Sequence, residues 1–314
     1  MQKYILKRLL WMIVIVAGAA FVVFTILYFS PGDPAREMLG PDASQTAVNE
    51  LRAKLGIDQP YLIQLGRFFR DVFLRFDLGE SWTYHVGVMD ELLNRLPRTM
   101  IIGVFAMILN VAVGIPLGIF AATHEGRLGD SLSMAIAMIF VSLPNFWVAL
   151  MMVVLFSLKL GILPPSGIEG PQYYIMPVIA SSLAGIAVNA RQTRSSMLEV
   201  IRADFITTAR AKGQSEKIVV TRHMLPNALM PIITSLGNGF ARIVAGQVVI
   251  ESVFSVPGIG TYMLSGISSR DYPVVRGCVL FFALFTAVTM LAVDLLYAFI
   301  DPRIKAQYSS GKKV

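Results

Sequence analysis

Six separate runs of this chain are long and apolar enough to need a lipid environment. They cover roughly residues 9–30, 99–123, 131–158, 173–190 (extending toward 198), 224–250 and 277–300. A helix crossing the hydrocarbon core needs about 20 mostly apolar residues, and in lipid the backbone must satisfy its own hydrogen bonds. These two conditions restrict the fold to a bundle of spanning helices. The second and third runs, 99–123 and 131–158, carry no formal charge. Pro116, Pro144, Pro177 and Pro231 lie within or near the spans, where neighbouring helices satisfy the carbonyls they free. Composition agrees: the 314 residues are 55% hydrophobic and only 15% charged, against about a quarter charged in soluble domains.

The first run has a basic start and an apolar core, as a secretory signal does. Its core is longer than the roughly 7–15 residues of a signal, and its small residues, Ala17 to Ala20, sit in mid-run. It reads as a retained first spanning helix. Lys and Arg in short loops set orientation. They concentrate at the N-terminus (Lys3, Lys7, Arg8), in the loop between the fourth and fifth spans (from Arg191 to Arg222) and in the C-terminal tail (Arg303, Lys305, Lys312, Lys313). An even number of spans puts all three on one side, so both termini are expected in the cytoplasm. The net charge of +7 then follows from loops facing an anionic membrane, not from nucleic-acid binding.

The expected organisation is a cytoplasmic N-terminus and first helix (1–30), an external helical segment (31–98), a core with spans two to six (99–304), and a cytoplasmic tail (305–314). In the external segment, residues 46–55 and 62–74 show apolar residues at three- and four-residue spacing, as interfacial helices do. Residues 88–96 are amphipathic and end at Pro97, where the second span is expected to begin. This segment reads either as a cap over the bundle or as a surface for an external partner.

No phosphate-binding loop, nucleophile–base set or metal cluster occurs in a plausible context. The one cysteine, Cys278, and three scattered histidines (His85, His124, His223) offer no ligand spacing. Sixteen methionines are explained by flexible packing in an apolar bundle. Chemistry inside the chain is therefore not expected. The distinctive element is instead a basic polar elbow, within a loop of about 199–226, which reads as two short helices around a glycine turn at Gly213. A glycine there allows a left-handed turn without a Cβ penalty, and alanines at 209 and 211 allow close approach.

Aligned on Gly213, the elbow resembles the cytoplasmic coupling motif of ABC-importer permeases: Glu-Ala-Ala, three residues, Gly, nine residues, Ile, one residue, Leu-Pro. Ala209, Gly213, Leu225 and Pro226 match it. Thr207 and Thr208 stand where Glu and Ala are expected, and His223 where Ile is expected. Asp204, one turn earlier on the same face, is a candidate substitute for the missing carboxylate. Further stretches resemble the first permease subunit of the dipeptide, oligopeptide, glutathione and nickel import systems. They include SPGDPA (30–35), LGIDQPYLIQLGRFF (55–69), DLGESW (77–82), LPNFW (143–147), NARQTRSSMLEV (189–200), ESVFSVPGIG (251–260), RDYPVV (270–275) and VDLLYAFIDPRI (293–304).

The resemblance implies an all-α integral membrane protein of the type I permease fold with six transmembrane helices. It also implies a second related permease, two cytoplasmic ATPases that hold ATP and Mg, and an external binding protein. No cofactor is implied for this chain itself. Short peptides are the expected cargo, with glutathione or a nickel or other metal chelate as the alternative. An ion-coupled secondary transporter would show inverted repeats with broken helices and midplane acids, which the sequence lacks. A scaffold without transport is the other rival.

An ionisable residue inside a membrane is costly and functional by default. Arg242 lies near the middle of the fifth span, with Asn238 on the same face and Gln247 and Glu251 beyond. This face is expected to line the translocation path, with Arg242 meeting a substrate carboxylate; the alternative is an arginine paired with an acid of the partner subunit or snorkelling into a water-filled cavity. Glu251, Pro257 and Gly258 are candidates for an external gate. Asp294 in the sixth span reads as a partner for a helix terminus or a loop arginine.

Overall fold

The structure, a computed structural model, describes residues 2–300, with side chains described for residues 6–296. The tail expected to be cytoplasmic (305–314) and its lysines lie outside the described residues. The described residues form helices and turns with one isolated antiparallel bridge, Glu80 to Gly87. Among the described residues five helices are long and apolar enough to cross a membrane, or six if the bent pair Leu128–Ser142 and Asn145–Lys159 is counted as one span. The protein is an all-α integral membrane protein. Its chain divides into two compact units, residues 1–99 with 257–288 and residues 100–256 with the C-terminal part.

The first unit starts with the spanning helix α1 (Gln2–Phe29), followed by the short helices α2 (Pro34–Leu39), α3 (Gln45–Leu55) and α4 (Tyr61–Leu74). Their boundaries follow from local chemistry. Asp33 caps α2 by accepting from the Ala35 N–H at 3.1 Å, with Pro34 at the first helical position, where its missing N–H costs nothing. Ser44 caps α3, and Gly56 ends it in the left-handed conformation at φ 67°. Phe24 of α1 packs with Phe68 of α4, and Thr25 Oγ1 lies 2.8 Å from Tyr61 Oη. The unit is completed by the start of α5 (Val88–Leu109), by α14 (Ile259–Ser268) and by most of α15 (Tyr272–Ile300). Val88 and Leu92 pack there with Ile259, Tyr262, Val274 and Cys278. Asp271 ties the 81–84 turn down, accepting from Ser81 Oγ at 2.6 Å and the Thr83 N–H at 3.0 Å.

In the second unit the chain continues from α5 through a π-helical turn (Asn110–Gly114) into α6 (Ile115–Thr123). It then forms α7 (Leu128–Ser142), α8 (Asn145–Met152) with a π-helical end, and the long α9 (Gln172–Ile201). The elbow follows as α10 (Asp204–Ala211), α11 (Glu216–Ile218) and a π-helical turn. The unit ends with α12 (Leu225–Ala245), α13 (Gln247–Val253) and the final part of α15. Helix α9 is the centre of this unit and packs against α6, α7, α8, α12 and α13. It can do so because its inner faces are small. A Cβ added at Gly118 of α6 would stand 2.5 Å from the Ala190 carbonyl oxygen and 2.5 Å from Thr193 Cβ. In lipid, close approach of this kind replaces the hydrophobic effect as the source of helix association. Gly118→Ala is therefore expected to force α6 and α9 apart and cost about 1–3 kcal/mol, as overpacking does. A thermal melt of the purified protein in detergent, unchanged from wild type, would contradict this.

Four spans differ from expectation. The second span begins at Val88, not at residue 99, because Pro97 is accommodated inside α5. The third expected span, 131–158, is two helices at 98°. Pro144 forces Leu143 into extended backbone (φ −80°, ψ 131°), which stops α7 and restarts the chain as α8. The fourth takes its longer expected form and runs slightly past 198, because α9 continues unbroken through Pro177, Arg191 and Arg194 to Ile201. The fifth, 224–250, breaks at Gly246, so that α13 sets off separately.

Candidate functional site

Two features of the second unit gather the residues that the sequence singles out. The first is a cavity of about 190 Å³ between α8, α9, α12 and α13. The α12 side presents Ser235, Gly239, Arg242 and Gly246, spaced by three or four residues on one face. The α9 side presents Ser181, Gly185 and Asn189, each one turn apart. Asn145, at the start of α8, closes one edge. Arg242 is exposed to this space and, among the described residues, has no ion-pair partner. The neutral polar groups around it are fixed: Ser235 Oγ donates to Asn189 Oδ1 at 2.8 Å, and Ser181 Oγ donates to Gln247 Oε1 at 3.4 Å.

Of the expected path residues, Arg242 and Gln247 line this cavity together. Asn238 does not: the inward line runs through 235, 239, 242 and 246 and leaves Asn238 exposed to one side. Glu251 is fully buried within α13 and is not part of the lining. The expected gate residues Pro257 and Gly258 belong to the first unit, where the Pro257 carbonyl accepts from Arg98 and Gly258 precedes α14. Asn145, Ser181, Asn189 and Ser235 were missed from the sequence. The signal was present as a period of three to four small or polar residues on two helices, but each residue alone is unremarkable. Asn110 lies beside the same wall. A Cβ on Gly185 would stand 2.4 Å from its side-chain nitrogen, and its buried amide has no hydrogen-bond partner among the described residues.

The second feature is the elbow. α10 ends at Ala211, and Gly213 turns the chain with φ 73°, the left-handed conformation expected of it. No neighbouring atom lies within 4 Å of where its Cβ would be, so the conformation, not space, selects glycine. Arg210 and Glu216 close the turn with a 2.7 Å ion pair, and His223 Nε2 lies 2.7 Å from Gln214 Oε1. Glu216 raises the pKa of the Arg210 guanidinium above its ordinary value.

Ala209 faces inward and Ile206 with it. They pack against Ala122, Met197, Val219, Met224, Ala228 and Ile232. Asp204, Thr207, Thr208, Ala211, Gly213 and Pro226 are exposed, while Leu225 and His223 are half-buried. The outer face therefore carries Asp204 and Thr207 together, with Phe205 also largely exposed. Two ion pairs anchor the base of the elbow to the bundle: Arg202 to Glu125 at 3.0 Å, and Arg194 to Asp130 through two bonds of 2.6 and 2.7 Å. The Asp130 pairing was not anticipated from sequence, because its partner is 64 residues away.

The chain is similar to known proteins along most of its length. Residues 114–306 match the family described as binding-protein-dependent transport system inner membrane component, and residues 1–103 match that family's N-terminal region. A dipeptide transport system permease protein of Alkalihalophilus pseudofirmus is 37% identical over 97% of this chain and 100% of its own length. A glutathione transport system permease protein of Salmonella paratyphi A is 39% identical over 97% of this chain and 99% of its own. Among solved structures, an inward-facing form of the MetNI methionine ABC transporter shares the fold. Its TM-score is 0.56 at 16% identity, covering 68% of this chain and 97% of that one.

Proposed function

The chain belongs to the family of binding-protein-dependent transport system inner membrane components, and we propose that it is half of a heterodimeric pore importing short peptides across a bacterial inner membrane. It is the permease component of an ABC importer, a multi-pass transport subunit rather than an enzyme. In this reading a second related permease completes the pore. Two cytoplasmic ATPases, holding ATP and Mg, bind at the elbow. An external binding protein delivers the cargo to the segments around 31–98 and 251–272. Both termini and the elbow then face the cytoplasm.

The observation that carries the reading is Arg242. It is a cation without an ion-pair partner among the described residues, set in a cavity otherwise lined by uncharged groups, polar and small ones together with Val188, Ile243 and Ile250. A guanidinium offers a bidentate, charge-assisted site for a carboxylate, and the peptide terminus supplies one. The neutral amide and hydroxyl groups of Asn145, Asn189, Ser181 and Gln247 suit peptide amides without selecting side chains. That fits a permease whose selectivity resides in its delivering partner. Glutathione carries the same groups and is the second reading, supported by the similarity to a glutathione permease. A metal chelate is the third.

In proteoliposomes holding the complete transporter, Arg242→Ala is expected to reduce dipeptide uptake by at least tenfold. Arg242→Lys should keep part of it, because a point charge replaces a fork (a charge-assisted bond is worth about 1.5–3 kcal/mol). ATPase activity without substrate should persist. Wild-type uptake in both variants would exclude Arg242 from the path.

A further inference from the structure

A second and larger cavity, of about 790 Å³, is formed entirely by residues of the first unit. Its walls are the end of α1 with the loop into α2, parts of α3 and α4, the 77–85 turn, and the first turns of α15. The volume is within the range of small-molecule sites.

Arg276 sits in this wall. Its guanidinium carbon lies 4.8 Å from the Phe68 ring centroid and 5.6 Å from that of Phe24. Its Nε donates to the Tyr272 carbonyl at 3.2 Å. The aromatic rings hold the guanidinium by cation–π attraction. Among the described residues no carboxylate lies within ion-pair distance, and the Nη1 and Nη2 donors have no protein acceptor. The other arginines of the wall are occupied: Arg52 pairs with Asp33 at 2.8 Å, and Arg67 donates to Gln59 at 2.6 Å. The same wall holds Lys54 and two exposed acids, Asp77 and Glu80, that form no ion pair among the described residues; Asp77 accepts from the nearby Gly79 N–H at 2.8 Å.

A ring-held guanidinium with free donors is the arrangement that binds a planar oxyanion. Free carboxylates in the same wall oppose an anion alone and favour a ligand that also carries positive charge. We propose that this cavity binds a zwitterionic small molecule of the amino acid or short peptide class. Its carboxylate rests on Arg276 and its ammonium faces Asp77 and Glu80. The identification with transported cargo rests on the peptide-import reading; the binding itself does not. A lipid phosphate fits Arg276 equally, but nothing in the wall would then use the two acids.

The test uses the full-length chain in phosphatidylcholine nanodiscs, with Trp11 and Trp147 changed to Phe so that Trp82, in the cavity wall, reports binding. Dialanine is expected to bind, and Arg276→Gln to weaken it by about tenfold or more. Dialanine amide should bind the unaltered cavity as weakly as dialanine binds that variant. Arg276→Lys, which retains the charge and stem, should fall between and guards against a folding defect. A joint Asp77→Asn and Glu80→Gln change should weaken dialanine more than N-acetyl-dialanine.

Equal affinity of dialanine and its amide overturns the proposal. So does equal affinity in wild type and a folded Arg276→Gln protein, or a Trp82 response to phosphatidylglycerol that dialanine does not displace. Dialanine binding here together with absent dipeptide uptake by the complete transporter would support this site and refute the peptide-import reading.

Discussion

In Ala209→Asp, uptake is expected to fall by about a hundredfold or more while the chain still reaches the membrane, because the change sets a carboxylate into a packed apolar seam. Ala209 is 6% exposed and meets Met197, Val219 and Met224, with Ile206 beside it. Burying an unpaired charge there costs several kcal/mol, and the low-cost escape is for α10 to leave the seam. An undocked α10 no longer moves with α9 and α12. In the proposed complex the ATPases should then hydrolyse ATP without transport, whereas a globally misfolded permease would lose the complex altogether. Measuring uptake and ATP hydrolysis on the same proteoliposomes separates the two. Retained uptake would show that α10 does not transmit force.

The turn beside it gives a graded companion. Gly213→Val must adopt φ 73° with a β-branched side chain, while Gly213→Asn can take that conformation at little cost. Because the space around Gly213 is empty, a loss in Val spared in Asn identifies backbone conformation as the requirement. Equal loss in both would point to contact with a partner surface.

The second large effect is on stability. Asp130→Ala is expected to destabilise the protein by about 3 kcal/mol, toward the low end for breaking a buried ion pair because Arg194 keeps 28% exposure. Asp130 is nearly buried, accepts from both Nε and Nη2 of Arg194, and also accepts from the Gly126 N–H at 3.1 Å. Removing it strands a half-buried guanidinium and frees the turn between α6 and α7. The double change Asp130→Ala with Arg194→Leu should recover part of the loss, since it removes the stranded charge. A melt in which the single and double variants coincide would show that the pair contributes by shape alone.

Composition and periodicity were enough to establish an all-helical membrane protein. Apolar runs of spanning length permit no other backbone in lipid, so that conclusion needs no knowledge of which helix touches which. The glycine turn at 213 was legible for the same reason, since a left-handed residue is a local property. The bend at Pro144 could also have been read locally, because the residue before a proline is driven to extended backbone; the absence of charge across residues 131–158 concealed it.

The identity of the residues that line the cavity is a different matter. Arg242 announced itself as a charge in a span, but Asn145, Ser181, Asn189 and Ser235 acquire meaning only where α8, α9 and α12 converge. The same holds for Asp130, which becomes a structural anchor through a partner 64 residues away, and for Arg276, whose significance lies in two phenylalanines from α1 and α4. Sequence alone determined that this chain crosses the membrane as helices and presents a structured basic elbow, because backbone hydrogen bonding and hydrophobicity act locally. Only the tertiary structure decided which polar groups share a cavity, because that depends on close helix approach at glycines such as Gly118 and Gly185, and close approach is a property of pairs.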